Sequence, residues 1–165
     1  MLDPDQLLAA NLTEALKQVQ NYVSVALGAS VSALALTTRF ASRDPVKPPG
    51  TFVAVDPELA QVVLLGLVFV VGVLAAYAAE AINVAAGQLD PKLLRAACSF
   101  PSVAASPYTW VRASAALLPF IISLTVVIRS ARSAPAVGGW LLLGGSAYGF
   151  LLLQLLHSSC LLQAP

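Results

Sequence analysis

Residues 59–79, LAQVVLLGLVFVVGVLAAYAA, run for twenty-one positions without one charged side chain. A helix rises 1.5 Å per residue, so crossing a hydrocarbon core of about 30 Å takes about 20 helical residues. This stretch has the length and the apolar character of a transmembrane helix, and the reading of the rest of the chain follows from it.

The whole composition agrees with that start. Of 165 residues, 58% are hydrophobic and 10% charged, against roughly 25% charged in soluble domains. A water-soluble monomer of this size has too little polar surface to cover so many apolar side chains, so lipid must receive them. The formal net charge of +1 excludes the basic footprint of a nucleic-acid-binding protein. The expected partners are membrane lipids and other integral membrane subunits, with no nucleic acid.

Three further stretches reach spanning length. The first covers about residues 19–38. Ahead of it, Asp3-Pro4-Asp5 offers a helix start, and Leu8, Leu12, Leu16 and Val19 recur at spacings of four and three, which predicts an amphipathic lead-in helix. The lead-in either lies on the membrane surface or runs straight into the span. Its acidic start lacks the basic region of a signal peptide, so the first span is expected to stay in the mature protein. Another span, about 111–128, lies between Arg112 and Arg129. Its sixteen uncharged residues reach only about 24 Å, so both arginines belong at the membrane surfaces, beside an aromatic belt of Tyr108 and Trp110. The last, about 138–156, starts near Trp140 and ends near His157.

The connections differ in kind. Residues 39–57, with Arg39, Arg43, Lys47, Pro45, Pro48 and Pro49, read as a loop in which helix cannot continue. Asp90-Pro91-Lys92-Leu93-Leu94-Arg95 reads as a short capped helix on the membrane surface, and residues 130–137 close the last hairpin. Pro119 removes a backbone donor in mid-span and is expected to bend its helix. The predicted fold is all-α: an integral membrane four-helix bundle with an amphipathic N-terminal helix, residues 1–165 forming a single multi-pass transmembrane domain.

Four spans put both termini on one side. The loops after the first and third spans then share Arg39, Arg43, Lys47, Arg129 and Arg132, against Lys17, Lys92, Arg95 and Arg112 on the other face. The positive-inside rule places the five in the cytoplasm and both termini outside. Cys98 and Cys160 fall on that outer face, where they either pair in an oxidising compartment or act as small buried hydrophobes. The glycosylation pattern Asn11-Leu12-Thr13 falls there too, though it recurs by chance in many chains.

The residues offer little catalytic machinery. One histidine makes no metal site, and no phosphate-binding loop, nucleophile elbow or Cys-x-x-Cys pair occurs. No catalytic or metal-ligating residue and no cofactor is therefore assigned. What recurs is small residues four apart. Ser24, Gly28 and Ser32 share a face of the first span, Gly72 and Ala76 a face of the second, and Gly145 with Gly149 forms Gly-x-x-x-Gly on the last. Such faces let helix backbones approach closely, either inside the bundle or toward a partner.

Polar residues gather at one predicted membrane face: Glu80 and Asn83, Arg112, Gln154 and His157, with Gln20 and Asn21. They form either an ordinary interfacial rim or a vestibule for a lipid headgroup, quinone-like ligand or ion, with Glu80 and Arg112 able to pair. The expected function is that of a non-enzymatic membrane subunit that packs into and stabilises a larger membrane protein complex. The alternatives are a small oligomeric transporter or channel, or a ligand-binding membrane protein using the polar cluster. An interfacial enzyme with Glu80 or His157 as general base has thinner support.

Overall fold

The computed structural model describes residues 4–37, 56–131 and 134–158. Among them are five α-helices and no strand: α1 Pro4–Thr37, α2 Pro57–Ala86, α3 Pro91–Cys98, α4 Thr109–Ser130 and α5 Ala134–Leu156. Four of these, α1, α2, α4 and α5, are long and apolar enough to cross a membrane, the most apolar 18 residues of α2 having a mean hydropathy of 2.7. The all-α bundle is thus the observed fold, and its helices support a membrane protein.

Local chemistry sets the helix ends. The Asp56 carboxylate accepts from the Glu58 backbone N–H at 2.8 Å, with Pro57 opening α2. Asp90 and Pro91 repeat the device on α3, where Lys92 N–H donates to Asp90 at 2.9 Å. In both, a carboxylate satisfies a first-turn donor and proline fills a position that needs none. α2 runs past residue 79 to Ala86, because an alanine-rich stretch has no reason to stop there. The amphipathic lead-in continues directly into the span as one 34-residue helix. Residues 38–55, with Arg39, Arg43 and Lys47, lie outside those described, as do Asp3, Arg132 and Cys160.

The inward face of α1 is Leu12, Leu16, Val19, Val23, Ala26, Ser30 and Ala33, a 4-3 alternation of the kind that packs helices in a left-handed seam. The facing side of α2 is mostly alanine: Ala75, Ala79 and Ala86 are nearly inaccessible. Around the bundle the order is α1, α2, α5, α4, with α3 lying against α1. Residue pairing gives the directions. Gln61 meets Ala33 while Glu80 and Gln88 neighbour Asn11 and Leu8, so α1 and α2 are antiparallel. Val68 meets Tyr148 and Asn83 meets Gln154, so α2 and α5 are parallel.

Large apolar side chains also point outward, among them Leu59, Val62, Val70, Leu142 and Leu153. Lipid covers such a surface; water does not.

Candidate functional site

Because lipid is as apolar as leucine, helices in a membrane are held together by close packing and by interhelical hydrogen bonds. Both occur at nearly every helix contact here. Tyr148 on α5 sets the hydroxyl-bearing edge of its ring against α2 at Gly72. A Cβ at Gly72 would stand 2.6 Å from the ring, so only glycine admits it. The Tyr148 hydroxyl donates to the Val68 carbonyl at 2.7 Å, and its ring stacks on Phe120 of α4 with centroids 6.2 Å apart. One side chain thereby joins three helices.

Between α1 and α4 the contact is made by hydroxyls. Ser30 and Ser123, both fully buried, have their oxygens 3.0 Å apart. Ser30 Oγ is also 2.7 Å from the Ala26 carbonyl oxygen and 3.1 Å from that of Pro119. Ser30 has one proton for two carbonyls, and the Ser123 hydroxyl can donate in turn to Ser30. Gln61 Nε2 donates to the Ala33 carbonyl at 3.3 Å, tying α2 to α1.

The predicted polar cluster gathers at the end of the bundle that carries the C-termini of α2 and α5 and the N-terminus of α4. Asn83 Nδ2 donates to Gln154 Oε1 at 2.8 Å and to its carbonyl at 3.1 Å. Arg112, 5% exposed, donates through Nη1 to the Leu155 carbonyl at 2.8 Å. That carbonyl is among the last four of α5, which lack intrahelical donors, and the arginine's charge lies where the helix dipole favours a cation. Arg112 is thus an interhelical cap, and it forms no ion pair with Glu80; Lys17 and Glu14 make the one salt bridge among the described residues. Glu80 and His157 are exposed. Two shallow grooves flank Glu80, and Asn83, Arg112, Gln154 and His157 line neither. Gln20 belongs to a neighbouring joint, where its Oε1 accepts from Val103 N–H at 3.0 Å and Ser102 Oγ donates to the Leu16 carbonyl at 3.0 Å.

The small-residue faces divide. Gly72 and Ala76 are buried within the bundle. Ser24, Gly28 and Ser32 lie on the exposed side of α1, and a Cβ at Gly28 would meet nothing within 4 Å. Gly149 is half-buried, yet a Cβ there would also meet nothing within 4 Å, and one at Gly145 would only graze Phe120 at 3.8 Å. Sequence reasoning missed Tyr148, Ser30 and Ser123; the available signal was that a buried hydroxyl must find a partner.

Cys98, the last residue of α3, is disulfide-bonded. No group of three or more His, Cys, Asp or Glu side chains among the described residues is placed to hold a metal ion. No protein-family model matches the chain, and no curated protein and no solved structure is significantly similar to it.

Proposed function

We propose that this protein is a non-enzymatic subunit of a larger membrane complex, held there through the outer faces of its helices. The observation that carries this reading is the exposed position of Ser24, Gly28 and Ser32 on α1, together with the room for a side chain at the half-buried Gly149 on α5. Small residues inside the bundle explain themselves by packing, as Gly72 does. Those on a lipid-facing surface leave shallow tracks along which a second helix can lie close.

The test separates assembly from folding. Gly28→Leu and Gly149→Leu add bulk where the chain itself has room, so the helical content and unfolding temperature of the purified protein should stay unchanged. The particle extracted in mild detergent should become smaller on native gels. An unchanged particle in both variants refutes the reading.

The orientation proposed with it puts the α3 end of the bundle on the oxidising side of the membrane. The disulfide at Cys98 supports this, since such bonds persist in extracellular, lumenal and periplasmic spaces. The excess of Arg and Lys on the opposite loops supports it through the positive-inside rule.

A further inference from the structure

We infer that the disulfide at Cys98 is made with Cys160, and that the bond ties α3 to the end of α5 beside the polar cluster.

Only one residue can be the partner. Cys98 is disulfide-bonded within a single chain, and that chain has two cysteines, at positions 98 and 160. The described ends of the two helices agree. Cys98 packs against the same buried apolar cluster that holds Leu94 and Ala97 of α3 and Leu155 of α5. Past α5, Ser158 is still folded onto the bundle: it is 2% exposed, with its hydroxyl 2.8 Å from the Leu155 carbonyl and 3.3 Å from that of Gln154. From there two more residues lead to position 160, at most about 7 Å of chain. The Cα atoms of a disulfide lie about 4.4–6.8 Å apart, which brings Cys98 within about 14 Å of Ser158.

The bond supplies what α3 lacks. Eight residues are too few for a helix to hold by itself, and the buried side chains of α3 are Leu94 and Ala97. Among the helices it packs chiefly on α1, whereas α5 stands across the bundle from α1, between α2 and α4. A cross-link to the end of α5 is therefore a second attachment on the far side. It also closes a covalent loop around α4 and α5, and so long a loop strongly restricts the unfolded chain. The Leu155 carbonyl that receives Arg112 lies three residues before Ser158, so the same tie keeps the last turn of α5 in place for the arginine. Formation follows ordinary exchange chemistry: the two thiols lose two electrons and two protons, and the disulfide of a dithiol carrier in the oxidising compartment is reduced to its two thiols.

The full-length protein, extracted in mild detergent without reductant, is alkylated with N-ethylmaleimide, digested with trypsin and read by mass spectrometry. Cleavage after Arg95, Arg112 and Arg132 puts the cysteines in separate peptides, residues 96–112 and 133–165. These should appear as one cross-linked species that dithiothreitol splits in two. In Cys160→Ser, Cys98 should become reactive to maleimide. Amide exchange in residues 91–98 should then accelerate about tenfold, while residues 71–82 of α2 keep their protection. Brief treatment of the folded wild-type protein with dithiothreitol should reproduce that local change, so the result does not depend on the folding of the variant. A Cys98 peptide joined to a second copy of itself or to a peptide of another protein overturns the pairing, as does a Cys160 that maleimide labels without reduction. Exchange in α3 that reduction leaves unchanged overturns the tie.

Discussion

Tyr148 and Gly72 fit as ring against bare backbone: the aromatic edge occupies the space in which any Cβ at residue 72 would sit 2.6 Å away. Gly72→Ala should therefore push Tyr148 off α2, costing about 1–3 kcal/mol as overpacking does. Unfolding of the detergent-solubilised protein measures it. Combining it with Tyr148→Leu, which removes the ring, should recover part of the loss.

Tyr148→Phe keeps the ring and deletes only the bond to the Val68 carbonyl. Interhelical hydrogen bonds average about 0.6 kcal/mol in membrane proteins, with a maximum near 1.7. The expected destabilisation is about 1 kcal/mol, smaller than that of Gly72→Ala, and the same unfolding assay ranks the two.

Ser30 and Ser123 should be energetically coupled. Alanine at either position breaks the hydroxyl pair, so the second replacement should cost less than it does alone. A double-mutant cycle should return about 0.5–1.5 kcal/mol of coupling; strict additivity would show that the 3.0 Å contact contributes nothing beyond packing.

Removing Arg112 should loosen the end of α5 before the rest of the bundle. In Arg112→Ala the Leu155 carbonyl loses its charged donor and keeps only the Ser158 hydroxyl, 2.8 Å away. Amide hydrogen exchange at residues 155–158 should accelerate about tenfold, consistent with up to about 2 kcal/mol for a buried cation at a helix C-terminus. Arg112→Lys, which keeps the charge, should give a smaller change. Uniform acceleration through all helices would contradict a local cap.

Cys98 should not react with maleimide in the folded protein until a reductant is added, because it is held in a disulfide. Mass spectrometry after alkylation reads this directly. A thiol that reacts without reduction would also remove the main support for putting α3 on the oxidising side.

Much of the fold was legible because hydropathy is a bulk property: twenty-one uncharged residues around Val68 can hardly be anything but a span. Leu12, Leu16 and Val19 also gave away the inward face of α1, which continues through Val23, Ala26, Ser30 and Ala33. Spacing alone could not choose between that face and the one bearing Ser24, Gly28 and Ser32, since small residues mark close approach without saying by what. The ends of α2 and α5 were underestimated, because alanine and an early proline are compatible with helix well beyond the most apolar core. Glu80 and Arg112 share one end of the bundle, yet a pairing between them depended on rotations about two helix axes. The carbonyl at the end of α5 offered Arg112 a partner that no side-chain inventory contains.

The unbroken α1 has a mechanical corollary. Thirty-four residues make a rod of about 51 Å, well beyond the roughly 30 Å of oil it has to cross. Glu14, Lys17, Gln18 and Asn21, all solvent-accessible, mark the portion that stands proud of the bilayer or leans through its headgroups. Its inner face stays docked, Leu12, Leu16 and Val19 being fully buried, so a force on this end is shared with α2 and α3 before it reaches the Ser30–Ser123 joint.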